Sequence, residues 1–353
     1  MPSLRLILFD WGDTVMRVFP DYPGPMSEWP RVQAIRGVAR ALTELKRCHA
    51  LVLATNAADS DAEHVRLALE RVGLAMYFDA IYTTHELGAR KPAPDFFRAI
   101  LERWMLSPQQ AAMVGDDYRV DVLGARQAGL WAVWYNPQAN PCLTPHPWQD
   151  AEVRSMATLP RSLARLRLPG VAECLAWLQE HGASAGLAAH SLAVAAGVHR
   201  LAWRLRQGGA RLDQLLAHRG GLLHDLDKPA VQLGQGRHGS LAAKWLYARD
   251  QPELARIVAR HQVFAVMGSS RPRTWEQKLV YLVDKLVQDH RVEGLARRFA
   301  VLQERHPASA ADLARCLPLA QALEDELCAK LGLSSEDLLA EVSQAINASN
   351  QGV

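Results

Sequence analysis

The sequence predicts two domains of different class: an α/β doubly wound parallel sheet over residues 1–168, then an all-α domain over residues 170–350. Three observations lead there. Short apolar runs alternate with amphipathic stretches through the first half, the pattern of strands joined by helices. The second half lacks that alternation and is a succession of Ala/Leu/Arg-rich helical patterns. Pro169-Gly170 breaks the chain between them.

Residues 4–9, 50–55, 78–84, 111–115 and 131–135 are short, mainly apolar runs that read as buried strands. Residues 31–47, 61–72, 94–104 and 120–128 read as the helices between them. Ser60 or Asp61 can cap the second, and Pro94 suits the first turn of the third. The Pro-rich, polar stretch 136–150 reads as a surface excursion, and 159–166 as the last helix of the domain. Beyond the break, helices are expected over 171–180, 188–207, 211–224, 240–248, 252–261 and 275–289, with later ones to about residue 346.

Composition narrows the function classes. Of 353 residues, 49% are hydrophobic and 22% charged, which favours folded cores over disorder. No run approaches the roughly 20 apolar residues of a membrane span, so no membrane partner is expected. The first apolar run is cut off by Asp10, too early for a signal peptide. Cys48, Cys142, Cys174, Cys316 and Cys328 are scattered and form no CxxC pair, which argues against a disulfide framework or zinc-thiolate site and for a reducing cytoplasm. Residues 1–168 hold 19 Lys/Arg against 18 Asp/Glu and the remainder 21 against 19, so neither half has the surplus of a general nucleic-acid binder. Nine of the thirteen histidines follow residue 168. Something in the second half uses imidazole.

In the first half, polar residues stand at the C-terminal ends of the predicted strands, where open parallel sheets bind ligands. Asp10, Gly12 and Asp13 follow the first, Thr55-Asn56 the second, Lys91 the third, and Asp116-Asp117 the fourth, with Asp121 five residues on. Gathered in one crevice, a carboxylate can attack phosphorus and form an acyl phosphate. Asp10 and Asp116 together can hold Mg²⁺, and Thr55 and Lys91 can offer hydrogen bonds and charge to phosphoryl oxygens.

This ordered set resembles the four motifs of the haloacid dehalogenase superfamily over about residues 3–168. The resemblance implies that Asp10 is nucleophile and metal ligand, the Gly12 carbonyl a second ligand, and Asp116 the metal-binding acid. It also makes Thr55, with Asn56 beside it, the phosphate grip and Lys91 the conserved-motif lysine. Phosphatases of the superfamily place an aspartate two residues after the nucleophile to protonate the leaving group; here that position is Gly12, so either Asp13 substitutes, or the leaving group needs little protonation, or the site is slow or silent. The short stretch from residue 15 to 30 leaves no room for a large inserted cap, so a nearly capless form is expected.

In the second half the informative segment is Leu223-His224-Asp225-Leu226-Asp227-Lys228. Neighbours on a helix project about 100° apart, close to the angle between adjacent octahedral ligands, so a His-Asp doublet can hold one ion. His190 lies upstream; His238, His261 and Asp284 lie downstream. This order resembles the HD-domain phosphohydrolases from about residue 170 to 289. The resemblance implies a first metal on His190, His224, Asp225 and Asp284, and a second on His238 and His261 bridged by Asp225. The metals would be transition ions such as Mn²⁺, Fe or Co²⁺, with Lys228 meeting a phosphate oxygen. Asp227 stands where many members have glycine. His181, His199, His218, His290 and His306 are expected to be ordinary core or surface residues.

The expected activity is a bifunctional hydrolase of phosphate esters or anhydrides. The substrate is a small phosphorylated molecule, a nucleotide, and at the HD site a dinucleoside polyphosphate. Two alternatives stand beside it: only the HD site turns over while the first half binds or regulates, or the chain is a nucleotide-sensing module.

Overall fold

A computed structural model of the protein describes residues 4–288 and 291–351. The chain divides into two compact units, residues 1–140 with 148–166 and residues 141–147 with 167–353.

The first unit is built on β1 (Leu6–Phe9), β2 (Ala50–Ala54), β3 (Ala80–Tyr82), β4 (Ala111–Gly115), β5 (Trp131–Tyr135) and β6 (Ala151–Val153). They form one parallel sheet in the order β3-β2-β1-β4-β5-β6. Its helices are α1 (Val38–Leu45), α2 (Ala62–Glu70), α3 (Thr84–Leu87), α4 (Pro94–Trp104), α5 (Gly124–Gln127) and α6 (Leu159–Leu163). β1 and β4 are buried throughout, as expected of central strands covered on both faces. The order reverses between β1 and β4, so the crevice that such a reversal opens lies beyond Phe9 and Gly115.

The expected α/β class therefore holds, and the local differences have physical causes. Residues 31–37 do not join α1: Arg17 N–H donates to the Gln33 carbonyl and Ile35 N–H to that of Val15, so the segment pairs with the loop after β1. That loop carries only a short 3-10 turn, Met26–Glu28, and no separate cap layer among the described residues. The stretch 118–123 is a π-helical turn capped by Asp117, whose Oδ1 accepts from the Arg119 and Val120 amides. β6 escapes sequence reading because it is a three-residue edge strand with no apolar run.

The stretch 136–150 is not a surface excursion. Residues 141–147 belong to the second unit, and His146, Gln149 and Asp150 are buried. Asp150 Oδ2 accepts from the Ala132 amide and from Arg126.

The second unit is helical: α7 (Val171–Glu180), α8 (Ala185–Gln207), α9 (Gln214–Leu223), α10 (Lys228–Gln232), α11 (Ser240–Ala248), α12 (Pro252–Val258), α13 (Trp275–Leu286), α14 (Leu295–Arg305), α15 (Ala310–Leu331) and α16 (Ser335–Gln351). A short antiparallel pair, β7 (Val287–Gln288) with β8 (Arg291–Val292), follows α13. Asp289 and His290, the end of one predicted helix and one predicted ordinary histidine, lie outside the described residues. α8 is buried along much of its length, and small residues let its neighbours come close. A Cβ on Gly221 of α9 would stand 2.9 Å from the Ala195 main chain of α8, so this approach requires glycine.

Three buried histidines fill the core where residues 141–147 enter. Arg219, always a donor, donates to His218 Nδ1 at 2.7 Å. His218 Nε2–H then donates to His146 Nδ1 at 3.0 Å, and His146 Nε2–H to Ser349 Oγ at 2.8 Å. Arg219 also donates to the carbonyls of Pro169 and Pro147. His199 is bonded to Gln214 at 2.6 Å. His199 and His218 are thus packed core residues, and His181 stacks on Trp245 with ring centroids 3.9 Å apart.

Burial, then Arg219, pushes His146 down to about 4 and His199 to about 3, and His218 well below its usual value. All three stay neutral in the fold, whereas the unfolded chain takes up protons near pH 6.5. Stability should therefore be full above that pH and fall as pH drops toward 4, by up to about 1.4 kcal/mol per pH unit for each histidine. Urea unfolding followed from pH 7 to 4 checks this; a flat profile for the helical unit counts against it.

Candidate functional site

In the first unit the strand ends bring the predicted residues together. Asp10 leaves β1 with its amide donating to the Val114 carbonyl, and Asp116 follows β4. Carboxylate oxygens of Asp10, Asp116 and Asp121 lie within 4.8 Å of one another. Lys91, almost fully buried, neutralises part of this charge: its Nζ is 2.7 Å from Asp10 Oδ1 and 2.6 Å from Asp121 Oδ1. Thr14 Oγ donates to Asp116 Oδ1 at 2.9 Å and accepts from the Asp116 amide. A Cβ at Gly115 would come within 2.1 Å of the Asp121 carboxylate, so glycine at the end of β4 admits that side chain.

Burial, and then Asp10, pushes the Asp116 carboxyl up to about 6. Burial also raises Asp121; Lys91 opposes that and Asp10 adds to it. Three carboxylates with a single buried lysine are a hard, all-oxygen donor set short of positive charge, which fits Mg²⁺. Asp10 and Asp116 would hold it.

The remaining predicted residues are placed as follows. Thr55, buried at the end of β2, accepts from the Ala57 amide. Asn56 donates to the Lys91 carbonyl at 2.8 Å and accepts from the Lys91 amide at 2.9 Å, so both ends of its amide position Lys91. Gly12 lies in the same loop, where a Cβ would meet Val18 Cγ2 at 2.9 Å. Asp13 is exposed and stands outside the three-carboxylate group; its Oδ1 accepts from the Val18 amide at 3.1 Å.

In the second unit all six predicted ligands converge, as two adjoining groups. His190, His224 and Asp284 form one; Asp225, His238 and His261 form the other. His224 Nε2 lies 3.4 Å from Asp284 Oδ1 and 3.5 Å from Asp225 Oδ2, and His190 Nε2 lies 3.3 Å from Asp284 Oδ1. Asp225 Oδ1 lies 3.2 Å from His238 Nε2 and 3.5 Å from His261 Nε2. Asp225 thus reaches both groups.

The donor orientation fits metal ions. His224 Nδ1 donates to the Gly221 carbonyl and His261 Nδ1 to that of Val258, which turns both Nε2 atoms inward. His224 Nε2 is buried and has no hydrogen-bond partner among the described residues. Burial disfavours charge on Asp225, yet His224, His238, His261 and Lys228 hold it well below the usual carboxylate range. Burial acts likewise on Asp284, and Lys285 and His224 outweigh it. Mixed imidazole and carboxylate ligands suit Mn²⁺, Fe or Co²⁺.

Two supporting residues were not foreseen. Asp227, fully buried, accepts from His238 Nδ1 at 2.7 Å and from the Ala242 amide at 2.8 Å. Lys285 pairs with Asp284 Oδ2 and donates to the His261 carbonyl at 2.9 Å. The signal for Lys285 was present in the sequence: adjacent opposite charges, Asp284-Lys285, inside an apolar helix. Lys228 spans 2.7 Å to Asp225 Oδ2 and is partly exposed. Because Asp227 orients one ligand, Asp227→Ala should weaken metal binding at the second group by about 10–100-fold. Chelator competition on the purified protein checks this; unchanged affinity would remove Asp227 from the site.

The acids at the topological switch of a parallel sheet and the His/Asp cage of a helical unit are the two candidate sites of the chain. Residues 13–129 match the family model of haloacid dehalogenase-like hydrolases, and residues 187–289 match that of the HD domain. The chain joins a haloacid dehalogenase-like domain to an HD domain. It is similar to a phosphoserine phosphatase of Thermus thermophilus, 37% identical over 33% of this chain and 46% of that one. It is also similar to an N-acylneuraminate-9-phosphatase of Rattus norvegicus, 35% identical over 36% of this chain and 50% of that one. The chain spans about half the length of these curated relatives. Among solved structures it resembles an uncharacterized protein from Listeria monocytogenes serotype 4b, with 27% identity, coverage of 46% of this chain and 98% of that one, and a TM-score of 0.40. No helix among the described residues is long and apolar enough to cross a membrane.

Proposed function

We propose that the chain is a two-site phosphohydrolase, each unit hydrolysing phosphate esters or anhydrides with bound divalent metal. The observation that carries this reading is the convergence of six distant ligands into two groups that share Asp225. Metal bound at either site would offset the charge of phosphoryl oxygens.

In the first unit the Asp10 carboxylate attacks phosphorus, an aspartyl–phosphate bond forms, and the bond to the leaving oxygen breaks with its electron pair. Lys91 balances the charge on Asp10 and, with Thr55, donates to the phosphoryl oxygens. Asp13 gives the leaving oxygen its proton, and water then hydrolyses the aspartyl phosphate. Phosphatase names among the relatives support a small phosphomonoester here. In the second unit Lys228 receives a phosphate oxygen, and the substrate is a nucleotide. The cytoplasm is the expected location, supported by five scattered cysteines that form no CxxC pair.

The test is a screen of nucleoside phosphates, dinucleoside polyphosphates and sugar phosphates on wild type, Asp10→Asn, Asp13→Asn and Asp225→Ala. Asp10→Asn should abolish one set of activities and Asp225→Ala another, with Asp13→Asn weakening the first set. If neither Asp10→Asn nor Asp225→Ala affects any hydrolysis, the two-site reading fails.

A further inference from the structure

A cleft of about 280 Å³ opens beside the His/Asp cage of the second unit. It shares His190 and Lys228 with the cage, and Arg298 and Arg305 of α14 form another wall. Among the described residues the lining includes three cationic side chains and no carboxylate. Both arginines lie beyond residue 289, where the match to the HD model ends. Seven residues apart, they share one face of α14, with about 10 Å between their positions along the axis.

Arg298 is the informative member. Its Nε is buried and has no hydrogen-bond partner among the described residues. A buried N–H without an acceptor is costly, and an anion delivered by ligand supplies that acceptor. The planar fork of Arg298 is shaped for phosphate. Lys228 lines the same cleft, with Nζ on Asp225. A single phosphate at the cage would engage Lys228 and leave the arginines empty.

We infer that this cleft selects substrates carrying two or more linked phosphates, one phosphoryl at the cage and the next ones on Arg298 and Arg305. This rests on the phosphohydrolase reading of the cage and adds the feature that ranks its substrates. Arg298 and Arg305 are positioning residues.

Binding separates this inference from turnover. Calorimetry on the full chain with chelator present would use inorganic tripolyphosphate and orthophosphate as probes. Tripolyphosphate should bind at least tenfold more tightly, and Arg298→Ala with Arg305→Ala should remove that preference. Arg305→Gln, an exposed position, should lower tripolyphosphate affinity severalfold with unchanged thermal stability, which keeps the test valid if the double variant misfolds. In the metal-loaded protein the same changes should raise KM for a dinucleoside polyphosphate at least tenfold with kcat nearly unchanged. Equal affinity for the two anions, or unchanged tripolyphosphate binding in the variants, overturns the inference. Selective binding without any hydrolysis would uphold it while ending the catalytic reading.

Discussion

His224→Ala is expected to abolish transition-metal retention and all hydrolysis by the second unit. The His224 ring belongs to the first group and adjoins the second, with centroids 5.3 Å from that of His190 and 5.1 Å from that of His261. Its removal takes a ligand from one group and leaves Asp225 and Asp284 facing each other with less positive charge between them. The loss should exceed the roughly 10–100-fold expected at Asp227, which acts only through another ligand. Metal analysis of the purified variant and assays with added Mn²⁺ measure it. Wild-type metal content in the variant would remove His224 from the cage. Activity assigned to Asp10 should be untouched.

Lys91→Met is the second large effect. The side chain is fully buried and holds Asp10 and Asp121 together. Without it, three clustered carboxylates lose their buried cation, which should cost about 3–5 kcal/mol of stability in the first unit. Mg²⁺ should restore part of that loss, because the site would then be more anionic. Turnover should not return, since no lysine remains to meet the phosphoryl oxygens. Urea unfolding with and without Mg²⁺ reads the result; a stability change under about 1 kcal/mol would mean that water, not Lys91, balances these acids.

Residues with one dominant physical demand were legible in the sequence. Asp10 and Asp116 each follow an apolar run that marks a buried strand, and Lys91 comes after the shorter, half-buried β3, so their convergence follows from sheet order. His190, His224, Asp225, His238, His261 and Asp284 stood out because imidazoles and acids interrupt apolar helical patterns. Supporting contacts were not legible. Asp227 is an acid in a turn until the turn folds against His238, and Asn56 is a polar loop residue until it meets the Lys91 backbone. Arg298 looked like any charge on an amphipathic helix. The polar, Pro-rich character of 136–150 pointed outward, yet Arg219 and the histidines offer that stretch the polar partners that a buried loop needs.

That stretch makes both units discontinuous in sequence: the chain enters the second, returns to the first, and leaves again at residue 167. A single cleavage near the Pro169-Gly170 break therefore cannot release two intact halves. The C-terminal fragment would lack the His146 acceptor for His218 and the Pro147 carbonyl for Arg219, leaving unsatisfied donors in its interior. The N-terminal fragment would carry residues 141–147 away from the packing they were selected for. What reads as two beads on a string is expected to behave in dissection as a pair that shares a thread.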